Sequence, residues 1–229
     1  MVSDEQTADT AVTEHKIALS GQLLHRFRLN GVRAQAAHQY DRIVTGTRWM
    51  RSLGDRLTRL MNTNASARSK FAQLEQISDE IAAAIAPHAG CKAGCSACCH
   101  ISVALSDHEA RRIGERIGMT PATPPSGQDE ADLDRLYFRS PCPFVQDGRC
   151  SIYEHRPIAC RLHFTLDVDA YFCQTELDPA DSAVPNVDLS EFWFAYAFLG
   201  IQLGSTVGDI RQFFPSGLKA RGTRKENQP

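Results

Sequence analysis

CKAGCSACCH, residues 91–100, holds four of the chain's eight cysteines, two of them adjacent. The others are Cys142, Cys150, Cys160 and Cys173. Eight cysteines in 229 residues fall well below the density of a secreted disulfide scaffold. Clustered thiols in a reducing compartment hold metal or do redox work, so the stretch reads as part of a metal site. Zinc takes four ligands in a tetrahedron, often as pairs spaced Cys-x(2–4)-Cys, and iron–sulfur clusters commonly take four cysteines. The eight thiols therefore allow one four-ligand centre with supporting cysteines, or two such centres. Cys98 and Cys99 add a constraint, because neighbouring side chains diverge: one is a spectator, or the two serve different centres. His100 and His163 stand beside cysteines and read as polar neighbours in preference to ligands.

Working outward, CPFVQDGRCSIY (142–153) has a turn signal between apolar residues. A three-residue Gln-Asp-Gly loop with Gly148 left-handed would pair Phe144 with Cys150 and point Cys142 and Cys150 the same way. A two-residue Asp-Gly turn would pair Val145 with Cys150 and send the two sulfurs to opposite faces. In EHRPIACRLHF (154–164), Pro157 suits a first helical position, which puts Cys160 in the opening turn, where a helix dipole favours thiolate. Arg156 and Arg161 flank Cys160, either offsetting thiolate charge or pairing with acids.

Upstream, Phe71, Leu74, Ile77, Ile81 and Ile85 recur at three- and four-residue steps, one face of a helix that Pro87 and Gly90 should end. Downstream, ISVAL reads as a short strand, followed by a helix to about Gly118 with Ser106 as N-cap and Glu109 in the capping-box position. GMTPATPPSGQDE reads as a loop. The apolar run Phe192–Leu203 is too short for a membrane span of about 20 residues and reads as a buried closing helix. The domains expected are a disordered 1–12, a helical region 13–87 with Gly31 and Gly46 as candidate breaks, a cysteine-cluster metal-binding domain 88–175, a helical closure 176–217, and a disordered basic tail 218–229. The fold class is mostly α with a small β-hairpin, a helical layer packed on a compact cysteine-rich metal-binding module.

A composition of 42% apolar and 23% charged residues with net charge −2 is that of a globular protein with no global pull toward nucleic acid or an anionic membrane. The first residues lack the basic and apolar regions of a secretory signal, so the expected location is cytoplasmic.

Three runs taken together, CKAGCSACC, SDHEARRIGERIG and CPFVQDGRCSIYEHRPIACRLHF, resemble the YkgJ-type cysteine-cluster family of zinc- or iron-chelating domains. The resemblance implies a cytoplasmic bacterial metal-binding protein with an iron–sulfur cluster, 4Fe-4S, or zinc. It carries ligands over to Cys91, Cys95, Cys98, Cys99, Cys142, Cys150 and Cys160, with Cys173 as a further ligand. Because flagellin lysine-N-methylase is related, it also implies a protein lysine N-methyltransferase as an alternative, with S-adenosylmethionine as cofactor and a protein as substrate. No Gly-x-Gly-x-x-Gly loop accompanies that alternative. The spacing Cys91-x3-Cys95-x2-Cys98 also resembles the radical S-adenosylmethionine loop, but Ala97 stands where an aromatic residue is usual. A third reading is an adaptor that binds a protein partner through its helical layer, with zinc as a staple.

Overall fold

The computed structural model describes residues 3–177, 182 and 184–218. Helix α1 (Ser3–Gly46) leads through a 3-10 turn (Arg48–Ser52) into α2 (Leu53–Asn62) and α3 (Ala67–Ile85). Where a polar leader was expected over 1–12, α1 is assigned from Ser3, and no glycine or proline interrupts the chain before Gly21. Gly31 does not break α1, and Gly46 is its last residue. The Ser66 hydroxyl caps α3 by accepting from Ser69 N–H. Phe71, Leu74, Ile77, Ile81 and Ile85 are all buried, as their spacing requires.

After the cysteine loop come β1 (Ala104–Ser106) and α4 (Asp107–Ile117), which ends at Gly118 with φ 71°. Ser106 caps α4 as expected, but Glu109 does not close the box directly. The Ser106 N–H donates to Tyr196 Oη, which in turn donates to Glu109 Oε2 at 2.7 Å, while Ile158 N–H donates to Glu109 Oε1 at 2.6 Å. Burial pushes this carboxyl upward. Helix α5 (Glu130–Tyr137) follows the proline loop, with Asp129 and Asp132 forming a capping box.

Strands β2 (Val145–Gln146) and β3 (Arg149–Cys150) form the hairpin, and α6 (Ile158–Arg161) follows. Then come a 3-10 turn at Tyr171–Cys173, α7 (Ser190–Gln202), β4 (Val207–Asp209) and α8 (Ile210–Phe213). Strand β4 pairs antiparallel with β1, Leu105 opposite Gly208. The closing helix is not wholly buried: Phe192, Ala195 and Leu199 face inward, whereas Phe194 and Ile201 are 75% and 78% exposed. No helix among the described residues is long and apolar enough to cross a membrane. Apart from Leu218, the tail expected over 218–229 lies outside the described residues.

Two apolar clusters organise these elements. The larger joins α2, α3 and Ile43 of α1 to Ile158, Leu162, Phe164 and Leu166 and to the inner face of α7. The smaller gathers Val103, Leu105, Ile113, Phe144, Ile152, Ile210, Phe213 and Phe214, with Cys142 inside it and Cys99, Cys150 and Cys160 against it. The mostly helical architecture with small antiparallel strand pairs is thus the expected one.

Candidate metal centre

All eight cysteines are free thiols, and five stretches of chain deliver them. Cys91 and Cys95 lie on an exposed loop, and Cys98 and Cys99 on the 3-10 turn Ala97–His100. Cys142 precedes the hairpin, Cys150 ends β3, Cys160 sits in α6 and Cys173 ends the 3-10 turn after Ala170.

The hairpin takes the two-residue turn. Asp147 and Gly148 have φ 49° and 70°, and Val145 pairs with Cys150. The pairing of Phe144 with Cys150 is therefore overturned. Strand alternation does not fix the direction of Cys142, because it lies outside the ladder: Val145 N–H donates to Cys142 O in a turn. The charges of Cys98, Cys142 and Cys150 all act on Cys160.

Four thiols have a neighbouring group that favours the thiolate, the form that binds metal: the backbone of Phe144 for Cys142, that of Ile152 for Cys150, and fully buried Thr165 for Cys91 through its backbone and for Cys173 through its side chain.

The adjacent pair is strongly coupled: the neighbouring Cys99 thiol draws the Cys98 thiol down to about 7, with the positive charge of Arg156 helping and burial opposing. Cys99 is pushed far up in return. Burial raises Cys91, Cys142 and Cys150 and lifts Cys173 to about 12. Cys160 is also raised, first by burial and then by its sulfur neighbours, so the dipole of a four-residue helix does not set its state.

Arg156 is the cation that bears on several of the thiols, while Arg211 bears on Cys142. Arg156 acts on Cys91, Cys98, Cys150 and Cys160 while its guanidinium stacks 4.0 Å from the Tyr153 ring centroid. Arg161 instead pairs with Asp79 at 2.6 Å and donates to Arg156 O. His100 Nδ1 lies 3.1 Å from Ser96 O, and burial lowers the His163 pKa.

The charges that bear on Cys160 sort Cys98, Cys142 and Cys150 with it as an inner group, and those that bear on Cys173 set Cys91 and Cys95 with it as an outer trio. Among the described residues, no group of three or more His, Cys, Asp or Glu side chains closes into a set that would hold a metal ion as it stands. Drawing the sulfurs together would be coupled to loss of their protons and to the binding itself. The donor chemistry, eight free thiols with Arg156 and Arg211 nearby, fits a thiophilic metal.

Residues 90–177 match the model of the CxxCxxCC family, described as a "Putative zinc- or iron-chelating domain". That segment is a metal-binding cysteine-cluster domain. Its first spacing in this chain is Cys91-x3-Cys95, one residue longer than the family's name, and Gly94 sits within it at φ 90°. All eight cysteines fall inside the CxxCxxCC domain. No curated protein and no solved structure matches the chain.

Several supporting residues were not apparent from the sequence. Thr165 reaches its two sulfurs from a stretch with no repeated spacing, and Tyr196 reaches Glu109 from a distant helix. Asp209-Ile-Arg-Gln212 did carry a legible signal, the cap pattern of a helix start, and Asp209 and Gln212 form that box.

Proposed function

We propose that this protein is a cytoplasmic iron–sulfur protein whose CxxCxxCC domain uses its cluster in a structural or sensing role. The observation that carries the reading is that Cys142 lies inside one apolar cluster with Cys150 and Cys160 packed against it, and that the charge of Cys98 bears on Cys160 as theirs do, four thiols from four separate stretches. Four cysteines are the usual complement of an iron–sulfur cluster, and Cys98, Cys142, Cys150 and Cys160 would hold it here. Four further thiols lie beside them, more sulfur than one closed zinc tetrahedron takes. When bound, a cluster supplies one-electron chemistry or a rigid staple. Around it, Cys99 favours the thiolate of Cys98, the backbone of Phe144 and Ile152 favours those of Cys142 and Cys150, and Arg156 offsets negative charge. Hydrogen bonds to sulfur, net charge and exposure set a cluster's potential, so these groups would tune it.

Full-length protein purified without oxygen should be brown and contain iron and acid-labile sulfide in comparable amounts. Colourless protein with stoichiometric zinc and no sulfide would overturn the iron–sulfur reading.

A further inference from the structure

Arg211 lies on α8, beyond the matched segment 90–177, and is only 9% exposed. Every donor face of its guanidinium is engaged. Nη1 bridges both carboxylate oxygens of fully buried Asp209, at 2.9 and 3.0 Å. Nε donates to Pro141 O at 3.2 Å, and Nη2 donates to Ser140 O at 2.5 Å, Ile101 O at 3.1 Å and Cys99 O at 3.3 Å. The four carbonyls belong to two loops. One has just delivered Cys98 and Cys99, and the other is about to deliver Cys142. The loops also bond directly, Cys142 N–H to Cys99 O at 2.7 Å. Asp209 fixes the arginine in turn by accepting from Val103 N–H at 2.7 Å and Arg211 N–H at 2.8 Å.

A buried ion pair is retained at a desolvation cost and is weak evidence for stability by itself. Here its cationic half answers four carbonyl oxygens that would otherwise lack a common donor. Only a planar fork with five N–H groups can do this, since an ammonium concentrates three donors at one point.

We propose that Arg211 is a positioning residue for the metal centre, clamping the Cys98–Cys99 loop and the Cys142 loop at the separation the inner thiols need. Its consequence for metal rests on the iron–sulfur reading above, whereas its effect on loop geometry does not.

The test uses the full chain with Arg211→Lys, and Phe213→Leu as a control that loosens the apolar cluster around Cys142 without removing a hydrogen bond to either loop. Iron retention against a chelator should fall about 10-fold or more in Arg211→Lys, the usual effect of losing an outer-shell partner, and stay near wild type in the control. In protein stripped of metal, alkylation followed residue by residue should accelerate at Cys99 and Cys142 and not at Cys173. Unchanged alkylation in Arg211→Lys, a uniform rise at all three cysteines, or equal metal loss in Phe213→Leu overturns the proposal. Should wild type carry no metal, the iron–sulfur reading fails alone, and the alkylation pattern decides the clamp. Should Arg211→Lys not fold, Arg211→Gln, which keeps two amide donors, takes the same readouts.

Discussion

Cys98 and Cys99 are neighbours in sequence and act on each other in opposite senses, which gives the site its asymmetry: one sulfur is held toward thiolate and the other toward thiol. The inner and outer groups should separate on substitution. Cys160→Ala, which removes the sulfur on which the charges of three others bear, is expected to abolish metal retention, whereas Cys173→Ala should leave at least half of it by elemental analysis. Away from sulfur, Glu75 is the residue with the clearest stability role. It is 4% exposed and paired with Arg112 and Arg116. Burial pushes its carboxyl up, but hydrogen bonds from Arg116 and Arg112 outweigh that and hold it below the usual range. A depressed folded pKa contributes stability above the unfolded value of 4.5, which is lost as pH falls through the folded value. Glu75→Gln should therefore cost about 1–3 kcal/mol at neutral pH in urea unfolding, a moderated cost because both arginines are part-exposed. Its stability should also decline less than wild type between pH 5 and 3, a window set by that unfolded value. An equal slope in both proteins would remove this assignment.

Elements bring the sulfurs together through turns that tolerate few residues. Gly148 stands at φ 70° in the hairpin, so Gly148→Ala should cost about 1–2 kcal/mol in thermal unfolding and weaken metal retention by shifting Cys150. Gly90 precedes Cys91 and packs on the 167–169 backbone, where an added Cβ would lie 2.5 Å from Asp167 O. Gly90→Ala should accordingly destabilise by about 1–3 kcal/mol and raise alkylation of Cys91, whereas wild-type behaviour would show that this backbone contact is loose. The helices were largely legible. The steps from Phe71 to Ile85 gave α3 its buried face, and Ser106 and Gly118 marked the ends of α4. The hairpin was legible as a hairpin but not in its register, because Gln-Asp-Gly suits either turn and Cys142 escapes strand alternation by lying in a turn. The apolar run at 192–203 concealed a half-exposed helix, since Phe194 and Ile201 read as core by type alone.

Across the whole molecule, the helical layer and the cysteine module are tied more closely than the sequence suggests. The larger apolar cluster crosses residue 88, taking α3 on one side and Ile158, Leu162 and Phe164 on the other. Ion pairs cross it too: Arg161 with Asp79, Arg112 and Arg116 with Glu75, and Arg28 with Asp167 and Asp169. Arg28 also lies 4.9 Å from the Tyr171 ring centroid, so α1 braces the turn that carries Cys173. A chain beginning at residue 88 would expose one wall of that cluster. It should fail to give a cooperative thermal transition or to retain metal, and a folded, metal-loaded fragment would show that the layer is a separable unit. None of this pairing has a local signature. The β1–β4 ladder, the arginine bridges and the Arg211 clamp depend on contacts between residues far apart in sequence, whereas the cysteines announced themselves by number and spacing. X-ray absorption at the metal edge of oxygen-free, full-length protein tests the convergence of those cysteines most directly. A first shell of sulfur alone with a second shell of iron is the expected spectrum, and a shell of nitrogen and oxygen, or no bound metal, would contradict it.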